Sequence, residues 1–541
     1  MPLRKYKFRM SDLCAYAGQS ILSNPKKPAK LQASIVAMSF LLPFIYTLLL
    51  LWLVKRSAHF RFEGIAAWTM PAVFLLKIAA GTALWYVYTY YYTDRSTSDI
   101  WKYFDDSGML FSALQNSPAD FLRMLTGIGD DAPHIAATYY QKMNYWYQQF
   151  DSPFFNDGRT MIRLNALLRL LSFGNYHVHT VVMSFLSLAG LCWIYRVLRG
   201  AFAGWRGAGV VVVFLLPSVL FWGSGVLKEG VLWLGVGALL WAVMLAKGKN
   251  VLLRLAVALA AAWLVAATRL YVLAALIPAL GGWWLAQKWN VAVWKTLSVT
   301  LAAVFALLLL LRLWPATDAV KLVAVKRNDF INLARGGAYV YDSTRVLHID
   351  AAQQDALIHI NDTLVRVKPG TPVRWWRVAD NFMDTLYNAH FTDTASFRVL
   401  SNLPRAGTLT STRYIRPVTA DVLRIMPKAL FSIAFRPLPH EIRHLPLLPA
   451  IAENLLLLAL LLLLFIAARR TPHKALTVFC LVFVLLLLTV TGITTPVTGA
   501  AVRYKSLALP FLFAAVLLYL DPQKLPGFLK RLLTAKTQAE Q

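Results

Sequence analysis

Long apolar runs recur along this chain of 541 residues, and they constrain its fold more than any other feature. Several approach the roughly 20 residues that cross a bilayer as a helix. The chain is 58% hydrophobic with a mean hydropathy of +0.53, a balance unlike that of a soluble protein of this length. Lipid offers no partners to open backbone groups, so the spans are expected to be helical. The reading is an all-α polytopic membrane protein with about eleven transmembrane helices. They fall near 33–54, 65–92, 177–198, 208–225, 229–246, 251–268, 270–287, 293–313, 449–468, 475–492 and 506–520. Two long polar segments, 93–176 and 314–448, interrupt them.

These breaks divide the chain into five parts: a basic N-terminal tail (1–32), a transmembrane domain (33–313), a second polar segment (314–448), closing transmembrane helices (449–520) and a tail (521–541). The N-terminal tail is too long and mixed for the charged start of a cleaved signal peptide. Cys14, Cys192 and Cys480 are far apart and odd in number, so neither a disulfide framework nor a zinc site is expected.

The net charge of +29 does not point to nucleic acid here. Much of it sits in short loops between spans, as the positive-inside rule expects. Lys55, Arg56 and Arg61 follow the first span, and Arg196, Arg199 and Arg206 follow the third. Lys247, Lys249 and Arg254 follow the fifth, and Arg469, Arg470 and Lys474 follow the ninth. This alternation places both long segments and the N-terminus outside, and the C-terminus inside. The basic N-terminal tail conflicts with it: either the tail is exported, or the first segment does not span.

The first long segment opens with YYTDRSTSDIWKYFDD, residues 91–106, directly after an apolar run. It holds Asp94, Asp99, Asp105 and Asp106, where water meets hydrocarbon. A carboxylate there keeps its charge and still reaches a lipid-borne substrate. The plainer reading is a solvated acidic loop closing a helix. Further on, Met109, Leu110, Leu114, Phe121, Leu122 and Leu125 repeat at helical spacing, as in helices lying on a membrane. Arg159 and Arg163, four residues apart, share a helix face and could hold a phosphate. Equally, they could face water or headgroups.

PSVLFWGSGVLKEG, residues 217–230, sets Lys228 and Glu229 in an apolar region. Such charges are paired or functional; a hairpin tip with the two paired to each other is the plain alternative. Arg269 marks the next very short outer turn. The second segment, about 135 residues, is expected to be a small mixed α/β domain, with a few strands within 340–367. Arg503 and Lys505 close the last outer loop.

Taken together, the acidic motif, PSVLFWGSGVLKEG, FRPLPHE (435–441) and GAAVRYKSLALPF (499–511) resemble a bacterial branch of the GT-C superfamily of integral-membrane glycosyltransferases. The chain departs from that family in carrying an extra span ahead of the acidic motif and no adjacent carboxylate pair directly after the span. The resemblance implies transfer of a sugar from a polyprenyl-phosphate or -diphosphate donor. The acceptor would be a lipid, glycan or protein, at the outer or periplasmic face of the plasma membrane. It implies an Asp base in the first outer segment: Asp99 first, Asp94 second. Lys228, Glu229, Arg269, Arg503 and Lys505 would form the substrate site, with Arg159 and Arg163 in support. Neither a cofactor nor a metal is expected, although a carboxylate-bound divalent ion stays open. Membrane lipids are partners; nucleic acid is not. Two rivals remain. A polysaccharide polymerase or O-antigen ligase would use His348, His359, His390, His440 or His444. A transporter or flippase would show inverted repeats.

Overall fold

The structure is a computed structural model. It describes residues 29–533, apart from 93–94, 96–97, 147–155, 206, 247, 249, 342–345, 362–363, 369–371, 378–384, 391–395, 404, 411–412 and 442–444. Asp94 therefore lies outside the described residues, as does the N-terminal tail to residue 28. Among the described residues, eight helices are long and apolar enough to cross a membrane, and a bent pair makes up to nine. This is a multi-pass helical membrane protein. The chain divides into two compact units, Met1–Leu273 with Pro526–Gln541, and Ala274–Leu525.

The first unit opens with α1 (Ala29–Arg56) and α2 (Thr69–Tyr86), which runs on through a π turn at Val87–Tyr91. Four shorter helices follow: α3 (Asp99–Asn116), α4 (Pro118–Thr126), α5 (Pro133–Thr138) and α6 (Gly158–Ser172). Then come α7 (Tyr176–Leu198), α8 (Pro217–Trp222) and α9 (Lys228–Leu240). Helices α7 and α9 meet backbone to backbone: a Cβ on Gly190 would lie 2.1 Å from the carbonyl oxygen of Trp233. Only glycine permits that approach.

One sequence expectation changes here. Segment 208–225 is not a membrane-length helix. It breaks into Ala208–Val210, a π turn at Val211–Leu215 and α8. Pro217 has no N–H to continue the preceding helix, so it starts a new one instead. At 268–269 two helices meet: α10 (Val251–Trp289) is helical on either side of a kink at Arg269, whose backbone alone is non-helical (φ −156°, ψ 84°), where the sequence places a very short turn.

The repeating apolar residues of the first polar segment turn inward. Leu110 and Phe121 are core residues beside Trp101, Tyr103 and Trp146, and Met109, Leu114 and Leu125 pack against them. Leu122 alone of the six is exposed.

The second unit contains the remainder of α10, then α11 (Val293–Leu311) and α12 (Ala319–Arg335). A seven-stranded sheet comes next, so the unit is not all-α. Its strands are β1 (Gly337–Tyr341), β2 (Val346–Asp350), β3 (Leu357–Asn361), β4 (Leu364–Val367), β5 (Pro372–Arg377), β6 (Thr385–His390) and β7 (Ser396–Leu403). They lie in the order β3-β4-β7-β1-β2-β5-β6, with every pair antiparallel. Alternate residues Ala338 and Val340, and Val365 and Val367, share one buried core with Ile349 and Phe397, as period-two strands require. Helices α13 (Thr419–Phe435), α14 (Leu448–Ala467) and α15 (Lys474–Thr494) follow. The chain then bends by 62° between α16 (Thr498–Lys505) and α17 (Leu509–Tyr519). Arg503 and Lys505 thus lie on a helix rather than in a loop.

Candidate functional site

Three helix starts each place one charged residue in the first unit's candidate site. Asp99 is the first residue of α3, next to its N-cap Ser98. A carboxylate in a first helical turn is favoured by the helix dipole. Asp157 is the N-cap residue of α6, yet its side chain makes no capping bond. It reaches Lys228, the first residue of α9, with Nζ 2.6 Å from Oδ1. The Asp99 carboxylate also acts electrostatically on Lys228. The ammonium lies 5.4 Å from the centroid of the Tyr103 ring.

Glu229 turns the other way. Its Oε1 accepts a hydrogen bond from Nη2 of Arg269 at 3.0 Å. The non-helical backbone at Arg269 marks the kink from which this side chain reaches α9. Thr160 on α6 donates to the carbonyl oxygen of Ala267 at 2.8 Å, which ties α6 beside the kink. Lys228 and Glu229 are therefore each paired, but not with each other. Burial makes those partners necessary, because an uncompensated charge there costs several kcal/mol.

The two pairs differ in exposure. The Glu229 and Arg269 side chains are 5% and 10% exposed, whereas Asp157 is 32% exposed opposite a Lys228 at 5%. Asp157 thus already touches water, whereas Lys228 is enclosed.

The neighbouring acids are not in a solvated turn, as their adjacency suggests. Both lie inside α3. Asp105 forms a two-pronged pair with Arg95, at 2.7 and 2.6 Å. Arg95 also lies 3.6 Å from the centroid of the Trp101 ring. Asp106 is buried and accepts the backbone N–H groups of Asn144 (2.9 Å) and Tyr145 (2.7 Å). Burial pushes its pKa up to about 6, against those two donors.

Arg159 and Arg163 do stand one turn apart on α6. Arg159 Nε donates to the carbonyl oxygen of Trp146 (2.9 Å), and Arg163 Nε to that of Met124 (2.8 Å). Arg163 also pairs with Asp130 at 3.0 Å. The two guanidinium groups lie 5.0 and 5.3 Å from the centroid of the Trp146 ring, which stacks on Tyr140. They brace the aromatic core of this unit.

Arg503 and Lys505 belong to the second unit. Lys505 Nζ donates to Asn454 Oδ1 (2.6 Å) and to the carbonyl oxygen of Arg436 (3.0 Å). Asn454 in turn donates to the carbonyls of Phe435 and Pro437. Asn454 therefore anchors the FRPLPHE stretch to α14. Arg503 is buried near the end of α16. The four expected cations thus divide two and two between the units.

Asp157 is the residue that sequence reasoning missed. An Asp directly before a helix start was the available signal. Among the described residues, no group of three or more His, Cys, Asp or Glu is placed to hold a metal ion. Comparison with family models, with curated proteins and with solved structures finds no match.

Proposed function

We propose that this chain is an inverting membrane glycosyltransferase of GT-C type. It moves a sugar from a polyprenyl-phosphate- or -diphosphate-linked donor to a lipid, glycan or protein acceptor at the outer face of the plasma membrane. Asp99 takes the proton of the acceptor hydroxyl as that oxygen attacks the anomeric carbon. The bond from that carbon to the donor phosphate breaks, and the phosphate leaves with the electron pair. Lys228 meets the leaving phosphate as Asp157 turns to water.

The observation that carries this reading is the grouping of Asp99, Asp157 and Lys228 at three helix starts in one unit. Asp99 follows a membrane-length helix by eight residues, and Lys228 begins another. The grouping sets an acid-base group beside a cation whose counterion is exchangeable. Those are the two charges that glycosyl transfer to an oxygen needs.

The test uses the full chain in nanodiscs with radiolabelled polyprenyl-phosphate and polyprenyl-diphosphate sugars. Asp99→Asn keeps the size and removes the basicity. It is expected to lower turnover about 10²–10⁴-fold with an unchanged unfolding temperature. Full turnover in that variant would remove Asp99 as the base. Failure of the native chain to consume either donor would remove the transferase reading itself.

A further inference from the structure

The C-terminal half of α6 turns Arg169 inward beside Ala166 and Leu168 of the core, and sets its remaining large apolar side chains outward. Arg169 points into the unit: Nε donates to Ser107 Oγ at 2.8 Å, and Nη2 to the carbonyl oxygen of Phe104 at 2.6 Å. Its guanidinium lies 4.2 Å from the centroid of the Phe104 ring. Leu167, Leu170 and Leu171 point out, each exposed by 42% or more, and Phe173 at the helix end is 80% exposed. A helix facing water does the reverse. One exposed leucine needs no explanation; four adjacent large apolar side chains around an inward arginine do.

The position of this stripe says what covers it. The carbonyl oxygen of Leu171 accepts a hydrogen bond from the Tyr46 hydroxyl at 3.0 Å. Asn175, just beyond Phe173, donates to the carbonyl oxygen of Ser39 at 2.7 Å. Ser39 opens the membrane-length stretch Ser39–Arg56. Tyr46 lies seven residues further on, about 10 Å along that helix at 1.5 Å per residue. The stripe therefore runs beside the first turns of a span whose own exposed side chains there are Leu41, Phe44 and Ile45.

We infer that the C-terminal half of α6, with Phe173, is immersed in lipid acyl chains at the end of the first span, as an interfacial helix is. This rests on the membrane character of the chain and not on the chemistry proposed above. It also puts lipid contact and site on one element. The helix that ends in the bilayer at Phe173 begins at Asp157, the counterion of Lys228.

The test is collision accessibility of a nitroxide on the full chain in nanodiscs. Labels go on Leu170→Cys and Phe173→Cys, in a background where Cys14 is replaced by Ser and the buried Cys192 and Cys480 are kept. Leu48→Cys on the first span is the lipid reference, and Lys142→Cys, which is exposed, is the water reference. Both test labels are expected to favour oxygen over a water-soluble nickel chelate, matching Leu48→Cys. A nickel response like that of Lys142→Cys would overturn the inference, because the stripe would then face water. Dipolar broadening that grows with protein loading would overturn it too, by assigning the stripe to a second copy. Protection from both reagents would overturn it in favour of a covering protein segment. Should Leu170→Cys fail to fold, Leu167→Cys reads the same stripe.

Discussion

Two lysines, one in each unit, stand in contrasting surroundings although both are almost fully buried. Lys505 is held by neutral oxygens, the Asn454 side chain and the Arg436 carbonyl, with Glu453 as its electrostatic counterion. Lys228 is held by the carboxylate of Asp157, which is a third exposed, with Asp99 also in electrostatic range. The first arrangement joins α14, α16 and the stretch after α13, and it has no part that can leave. The second has one partner already touching water. Burial alone does not separate the two lysines; what differs is the exposure of the carboxylate beside each.

The largest effect on stability is expected at Lys505. Lys505→Met removes the ammonium, so the buried Glu453 loses the charge of Lys505, and Asn454 Oδ1 and the Arg436 carbonyl lose their donor. The cost should be about 3–5 kcal/mol, the usual penalty for one half of a buried pair. A thermal-unfolding series in detergent would show it as a clear drop. An unchanged midpoint would remove the structural reading of this lysine.

Asp106 tests the same idea with a carboxylate. It too is held by the chain, through the N–H groups of Asn144 and Tyr145. Its folded pKa of about 6 stands above the ordinary 3.8, so folding favours the protonated form. The stability it contributes is fully present below 3.8 and is lost as pH rises through about 6. At 1.36 kcal/mol per pKa unit this is at most about 3 kcal/mol. Asp106→Asn cannot ionise and should flatten the stability profile between pH 4 and 7. Equal slopes in variant and native chain would place the proton uptake elsewhere.

Lys228→Met should cost less, about 1–2 kcal/mol, because Asp157 can solvate once its partner is gone. Its main effect should fall on donor binding rather than on folding. A loss as large as that of Lys505→Met would erase the distinction between the two lysines.

The spans were legible because hydrocarbon imposes length and apolarity on each one separately. Each of the eight membrane-length helices overlaps an apolar run in the sequence. Segment 208–225 misled because apolarity was read across Pro217, where the backbone cannot continue. The sheet was half legible. Strands β2 (VLHID) and β4 (LVRV) alternate visibly, whereas β5 (PVRWWR) and β6 (TLYNAH) carry no apolar period. The individual charges of the site were legible as costly residues in apolar surroundings. Their pairings were not, since Lys228 finds Asp157 seventy-one positions earlier and Arg269 finds Glu229 forty positions earlier. Such contacts follow from packing, which a single sequence does not display.

The smallest expected effect supplies the baseline for all the others. Arg199 and Glu63 form an ion pair at 2.8 Å, but their side chains are 65% and 84% exposed. Water already solvates both, so the pair gains little and costs the ordering of two long side chains. Glu63→Gln should change stability by less than about 1 kcal/mol, and added salt should shrink even that. Measured beside Lys228→Met, it sets the scale on which an exchangeable buried pair is judged. If Lys228→Met proves no more costly than Glu63→Gln, then Lys228 contributes nothing to folding, and its burial beside Asp157 must be explained by function alone.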